Sequence, residues 1–380
     1  MDVSFLVVVV IVTALAFDFT NGFHDTANAM ATSIATGALK PRVAVAISGV
    51  MNLVGAFLST EVAKTISSGI VDDARVTPAI IFGGLVGAIV WNLLTWLLGL
   101  PSSSSHALFG GLIGAVWVAA GGSAVHFSTV LSKIVVPAVA SPLIAGVVAL
   151  LGTFLAYKIT ARARERSREN GFKYGQTISA TLVSLAHGTG DAQKTMGVIT
   201  LVLIADGHLA EGSGPPVWVV LCAGLAIAIG TYTGGWRIIR TMGHGITDVH
   251  SPQGFAAETS TTATLLASAH LGFALSTTQV ASGSILGAGL GRRLATVRWG
   301  LAGKIALGWV FTLPAAAVVG AVAGEASDKG TWGVVLVAVV ALAVVIGIVL
   351  WSRRSPITAN NVNESSAAPA QELSTSGVAA

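Results

Sequence analysis

The chain has 380 residues, 53% of them hydrophobic and only 10% charged, with a mean hydropathy of +0.79. Soluble domains carry roughly 25% charged residues, so this composition excludes a soluble enzyme. The net charge of +4 suits a membrane surface rather than a nucleic acid.

In chain order, apolar segments fall at roughly 3–20, 26–38, 43–60, 78–100, 103–122 and 132–158. A second series follows at roughly 174–188, 192–206, 216–235, 254–290 and 300–323, and a last span at 331–352. Stretches of this length and composition predict helices in a bilayer. Met1-Asp2-Val3-Ser4 lacks the basic region of a signal peptide, so the first segment is expected to stay. The predicted organisation is a first membrane repeat (1–160), a basic loop (161–173), a second membrane repeat (174–323), an additional C-terminal helix (324–354) and a disordered tail (355–380). Arg162, Arg164, Arg166, Arg168 and Lys173 place the loop on the cytoplasmic side. The single cysteine, Cys222, excludes an intramolecular disulfide.

An internal repeat organises the chain. Asn21-Gly22-Phe23-His24-Asp25-Thr26-Ala27-Asn28-Ala29-Met30 aligns with His187-Gly188-Thr189-Gly190-Asp191-Ala192-Gln193-Lys194-Thr195-Met196, at an offset of 166 (191 − 25). Further on, Ser103-Ser104-Ser105-His106 aligns with Ser276-Thr277-Thr278-Gln279 at 173 (279 − 106), and Gly110 and Gly114 then match Gly283 and Gly287. Secondary transporters commonly set such repeats in inverted topology, with two half-sites facing each other at mid-membrane.

Asp25 and Asp191 each interrupt an apolar segment, three residues after a glycine. A carboxylate there costs several kcal/mol unless it faces a cavity or a partner, and the glycines predict broken helices. Asn28 and Lys194 lie three residues on, on the same helical face. Both aspartates are candidates for cation or proton coupling and for holding a metal. Asp18, two turns before Asp25 with no counterpart in the second half, is a candidate proton carrier. Serine or threonine ahead of an apolar run is an N-cap signature, and free N–H groups at a helix start bind anions. Ser103, Ser104 and Ser105, with Thr277 and Thr278, are therefore candidate anion ligands on paired re-entrant hairpins. His24, His106 and His187 are expected to hydrogen-bond to backbone around the helix breaks; no HExxH and no cysteine cluster supports a dedicated zinc site.

The segments Asn21 to Ala35, His187 to Gly197 and Pro101 to Gly114 resemble the signatures of the inorganic phosphate transporter (PiT) family, and most closely those of bacterial low-affinity permeases. The resemblance spans residue 17 to about residue 323. It implies an all-α polytopic protein of the cell membrane, with two inverted repeats, broken helices and paired re-entrant hairpins. It also implies phosphate, or a metal–phosphate complex, carried with protons, sodium or divalent ions, and a homodimer in the lipid bilayer. No resident cofactor is expected. Carried over position by position, the anion lies between Ser103, Ser104, Ser105, Thr277 and Thr278, near Asn28 and Lys194, with cations at Asp25 and Asp191. Sodium-using relatives have Asn where this chain has Lys194, and many relatives have His where it has Gln279. The lysine disfavours a second sodium site, so protons are favoured over sodium, and Gln279 weakens any role that needs a titratable group at its position.

Competing readings are a sulfate symporter, a passive anion channel and an intramembrane hydrolase built on Ser105, His106 and an aspartate. Adjacent residues on a helix point to different faces and make a poor nucleophile–base pair, and paired buried carboxylates obstruct a channel.

Overall fold

Gly22 and Asp25 do not break a helix. Phe5–Ala35 form one helix, α1, of 31 residues, and its second-half equivalent α8 runs through Gly188 and Asp191 over Glu165–Ala205. Helix propensity penalises each interior glycine by about 1 kcal/mol, but these glycines serve packing. A Cβ on Gly22 would collide with the backbone at Ile227, and one on Gly188 with the backbone at Asn52. Close helix approach, not chain reversal, is their use. The structure is a computed structural model that describes residues 4–292 and 297–364.

After α1 come α2 (Pro41–Gly55), α3 (Glu61–Gly69), α4 (Pro78–Leu97), α5 (Ser104–Ala120) and the single turn α6 (Phe127–Val130). A π-helical turn at Leu131–Val135 joins α6 to α7 (Val136–Ile159). The second series runs α8, α9 (Val217–Thr233), α10 (Trp236–Arg240), α11 (Ser251–His270), α12 (Thr277–Leu290) and α13 (Trp299–Ser327), with α14 (Thr331–Ser352) added. A sharp bend does occur elsewhere: α9 and the stretch Trp236–Gly245 meet at 61°, the geometry of a broken span or a re-entrant loop, at Gly234, whose φ of +78° is natural only for glycine. Among the described residues, five helices are long and apolar enough to cross a membrane, or six if the bent pair is one span.

The two halves interlock by exchanging partners. Helix α1 packs on α9 and α8 on α2; α7 packs on α11 and α12, and α13 on α4 and α5. The exchange holds residue by residue. A Cβ on Gly55 would strike Leu185 O, and one on Gly230 would strike Phe19 O. Likewise Gly110 abuts Leu313 O as Gly283 abuts Pro142 O, and Gly114 abuts Ala317 O as Gly287 abuts Gly146 O. Even the isolated bridges match, Val71 with Val125 and Thr247 with Val297. Helices α1 and α8 run antiparallel, since Asn21 meets Asp191 while Ser33, further along α1, meets Gln176, earlier on α8.

Helices α4–α5 and α11–α12 form two hairpins. Helix α12 has 14 residues, about 21 Å of rise, against a hydrocarbon core of about 30 Å. It is too short to cross.

Two segments differ from expectation. Residues 165–173 of the basic loop belong to α8, where Arg168 pairs with Glu165 and Phe172 packs on Phe255. The start of the supposed disordered tail, residues 355–364, folds as turns beside α10. Arg237 Nη2 donates to Ser352 O and Ser355 O, Arg240 Nη2 to Asn361 O, and Val362 is buried. These main-chain acceptors carry no hydropathy signal, which is why composition missed them. Residues 365–380 of that tail lie outside the described residues.

Candidate anion and cation site

Both hairpin tips point their N-termini at the middle of α1 and α8. Ser103 and Ser276 are the N-caps: Ser103 Oγ accepts from His106 N at 3.1 Å, and Ser276 Oγ from Gln279 N at 3.3 Å. Beyond each cap, the next hydroxyl meets an aspartate. Ser104 Oγ donates to Asp25 Oδ2 at 2.7 Å, and its counterpart Thr277 Oγ1 to Asp191 Oδ1 at 2.8 Å. The following hydroxyls cross to the other half. Ser105 Oγ accepts from Lys194 Nζ at 2.5 Å, while Thr278 Oγ1 accepts from Asn28 Nδ2 at 3.0 Å and donates to Asp25 Oδ1 at 3.2 Å. The exchange seen in the packing thus reaches the polar centre.

Asp25, Asp191 and Lys194 are each 1% exposed. Lys194 Nζ donates to Asp191 Oδ1 at 2.5 Å. Asn21 Nδ2 reaches Asp191 Oδ2 at 3.4 Å, tying the two half-sites together. The Oδ1 atoms of Asn21 and Asn28 are buried acceptors with no hydrogen-bond partner. Such atoms suit a cation, or a proton brought on an oxyanion.

The histidines bond side chains, not backbone breaks. His24 Nδ1 lies 2.7 Å from Asp25 Oδ1, and its Nε2 lies 3.3 Å from Thr95 Oγ1. His187 is 3.0 Å from Asn52 Oδ1 through Nδ1 and 3.4 Å from Asp191 Oδ2 through Nε2. Ligand atoms of Asp25, His187 and Asp191 all lie within 4.8 Å of one another. A mixed imidazole and carboxylate set of this kind suits a first-row divalent ion. The sequence set His187 aside in favour of backbone hydrogen bonding, although its position four residues before Asp191 places it on the same helical face.

Asp18 is buried beside the cluster, in the field of Asp191 and Lys194, and neither of its oxygens meets hydrogen-bond geometry. Gln193 caps a neighbouring helix: its Oε1 accepts from Val62 N at 2.8 Å, at the start of α3. A further buried carboxylate, Glu258 on α11, escaped the sequence reading. It accepts from Thr32 Oγ1 (2.7 Å), Ser33 Oγ (2.6 Å), Gln176 Nε2 (3.1 Å) and Ser179 Oγ (2.5 Å), binding the second hairpin to α1 and α8. A lone acid inside an apolar stretch was the available signal.

The model of the phosphate transporter family matches residues 21–320. Over 362 residues the chain is 56% identical to a protein of Mycobacterium bovis named a probable low-affinity inorganic phosphate transporter, covering 94% of this chain and 87% of that one. A protein of the same name in Bacillus subtilis is 41% identical over 320 residues, covering 84% and 96%. A solved sodium-dependent phosphate transporter superposes with a TM-score of 0.74 at 25% identity, covering 84% of this chain and 98% of that one. These relatives are transporters, not enzymes, and with the apolar helices they make this a multi-pass plasma-membrane protein. The chain belongs to the phosphate transporter family.

Proposed function

We propose that the chain carries inorganic phosphate across the membrane by symport, with protons as the coupling ion and a divalent metal–phosphate complex as a permitted cargo. The antiparallel run of α1 and α8, with the exchanged glycine contacts, supports an inverted-topology repeat whose half-sites meet at mid-membrane.

One observation carries the coupling: the hydroxyls suited to an anion already donate to the carboxylates, Ser104 to Asp25 and Thr277 to Asp191. A phosphate that takes those donors strips each aspartate of a hydrogen bond inside a low-dielectric site. The aspartate then needs a proton or a metal ion. Charge demands the same. Asp25, Asp191 and Lys194 carry formal charges that sum to −1 (−2 + 1), and phosphate adds one or two negative charges. Two like charges 4.8 Å apart, the widest spacing of the Asp25 and Asp191 ligand atoms, repel by about 3.5 kcal/mol at an effective dielectric of about 20. Anion and cation therefore enter together.

Lys194 favours protons over sodium, because a fixed ammonium on Asp191 occupies the place where a second metal ion would sit. Selection against sulfate follows from acceptors. Phosphate keeps a proton near neutral pH to donate to an aspartate or to the free Asn28 Oδ1, whereas sulfate leaves them unpaired. The test is uptake of labelled phosphate into proteoliposomes, with pH and sodium gradients imposed separately and sulfate as competitor. Accumulation should follow the proton gradient, ignore sodium and resist sulfate. Equilibration without accumulation would replace the symporter with a channel.

A further inference from the structure

Between α7, α12 and α13 lies a cavity of about 690 Å³, walled by apolar side chains such as Val139, Leu143, Leu286 and Val310. That volume lies in the range that accepts a drug-sized molecule. Val139, Leu143 and Val310 are exposed on helices that are themselves apolar, so the slot opens sideways to hydrocarbon, not to water. Along α12 it extends from Gln279 to Leu290, about 16 Å at the helical rise. Its inner end is the meeting point of His106 Nδ1 and Gln279 Nε2, 3.5 Å apart. These two residues directly follow Ser105 and Thr278, so the slot ends behind the anion-binding hydroxyls.

The outer end is basic. The slot-facing stripe of α7, Leu143, Val147 and Leu150, continues at helical spacing to Phe154, Tyr157 and Lys158. Lys158 Nζ lies 5.8 Å from the Phe154 ring, and the Arg292 guanidinium, two residues past Leu290, 5.8 Å from the Tyr157 ring. Arg168 faces the same tyrosine at 5.0 Å. The carboxylates at this end are engaged elsewhere: Glu165 with Arg168, and Glu169 with His250 and Ser251 N. Among the described residues, neither Lys158 nor Arg292 has a carboxylate partner. By the excess of basic residues in the adjoining stretch, this end is cytoplasmic, where the leaflet carries anionic lipid.

We propose that the slot seats one acyl chain of an anionic phospholipid, its phosphate held by Lys158 and Arg292 and its chain end resting against His106 and Gln279. The lipid backs both hairpin tips, so its occupancy tunes uptake. Native mass spectrometry of the purified full chain, with phosphatidylglycerol or phosphatidylcholine added, tests binding directly. Wild type should retain one phosphatidylglycerol several-fold in preference to phosphatidylcholine. The surface variant Lys158→Gln/Arg292→Gln should lose the preference, and Ala138→Phe or Ala306→Phe, which narrow the slot, should retain neither lipid. In proteoliposomes, wild-type uptake should rise several-fold as phosphatidylglycerol replaces phosphatidylcholine, while the charge variant stays at its phosphatidylcholine level. Equal lipid preference in wild type and charge variant overturns the proposal, as does efficient Leu143→Cys cross-linking between two copies, which would put protein in the slot. Retention is read by mass whether or not phosphate moves, so it fails or stands apart from the transport reading.

Discussion

Asp25 and Asp191 occupy equivalent places in the two halves, yet their surroundings differ in charge. Asp25 is met by hydroxyls and His24, with neutral Asn28 three residues on. Asp191 is met by Lys194, His187, Asn21 and Thr277. One backbone frame thus carries two different electrostatic surroundings: the second aspartate is paired with the ammonium of Lys194, and the first has neutral Asn28 at the matching position. The repeat places the two carboxylates alike, while single side chains set the charge around each.

The largest effect should come from removing the partner of the buried ammonium. Asp191→Asn strands Lys194 among apolar helices, and breaking a buried pair costs about 3–5 kcal/mol. Thermal unfolding in detergent should show a marked loss of stability, together with loss of accumulation in proteoliposomes. Asp25→Asn leaves no buried ammonium behind and disturbs only its contacts with His24, Ser104 and Thr278; it should lose less stability than Asp191→Asn and still fail to accumulate phosphate. Equal destabilisation by both would erase the electrostatic contrast between the halves, and normal proton-driven accumulation by either would exclude that aspartate from coupling.

Lys194→Asn makes the second half chemically like the first. Sodium-free uptake should fall several-fold, and sodium should restore part of it, measured across sodium concentrations at fixed pH and membrane potential. A mutant with unaltered sodium-free uptake would mean that Lys194 is not the resident cation.

The crossing hydroxyls sharpen the comparison further. Ser105→Ala removes a partner of Lys194 and Thr278→Ala a partner of Asn28 and Asp25. A hydrogen bond to a charged group contributes about 1.5–3 kcal/mol, so the apparent KM for phosphate should rise roughly 10- to 100-fold, with normal amounts of protein in the membrane. Unchanged kinetics in both would remove the anion from between the hairpin tips.

The smallest effect belongs to the caps. Ser103→Ala and Ser276→Ala each cost about 1 kcal/mol of stability, visible in unfolding, while KM stays within about twofold of wild type because these hydroxyls serve helix starts. A KM rise matching that of Ser105→Ala would return Ser103 to the anion ligands, where its place in the serine run first put it.

The gathering of the candidate residues was largely legible because their motif is written twice. An acid inside an apolar run is costly, so two such acids at a constant offset, each followed three residues later by a polar group, mark a shared centre before any fold is known. The hydroxyl pairs were legible for the same reason. Hydropathy also set the helical class and most helix positions, since a bilayer leaves the backbone few ways to satisfy itself. Other features depended on neighbours far away in the chain. Gly22 and Gly188 look like breaks in isolation, and become packing surfaces only when the backbone of the opposite half lies against them. His187 becomes part of a possible metal-binding set only because Asp25 arrives from the other half. Glu258 draws its four donors from α1 and α8, and the turns at 355–364 are held by arginines more than a hundred residues earlier. The amino-acid sequence alone determined the repeat, the buried charges and the helical spans, because each is a local or periodic property. The tertiary structure alone decided which helices stay continuous and which residues from opposite halves share a partner, because those outcomes rest on close backbone contact between segments that sequence distance does not relate.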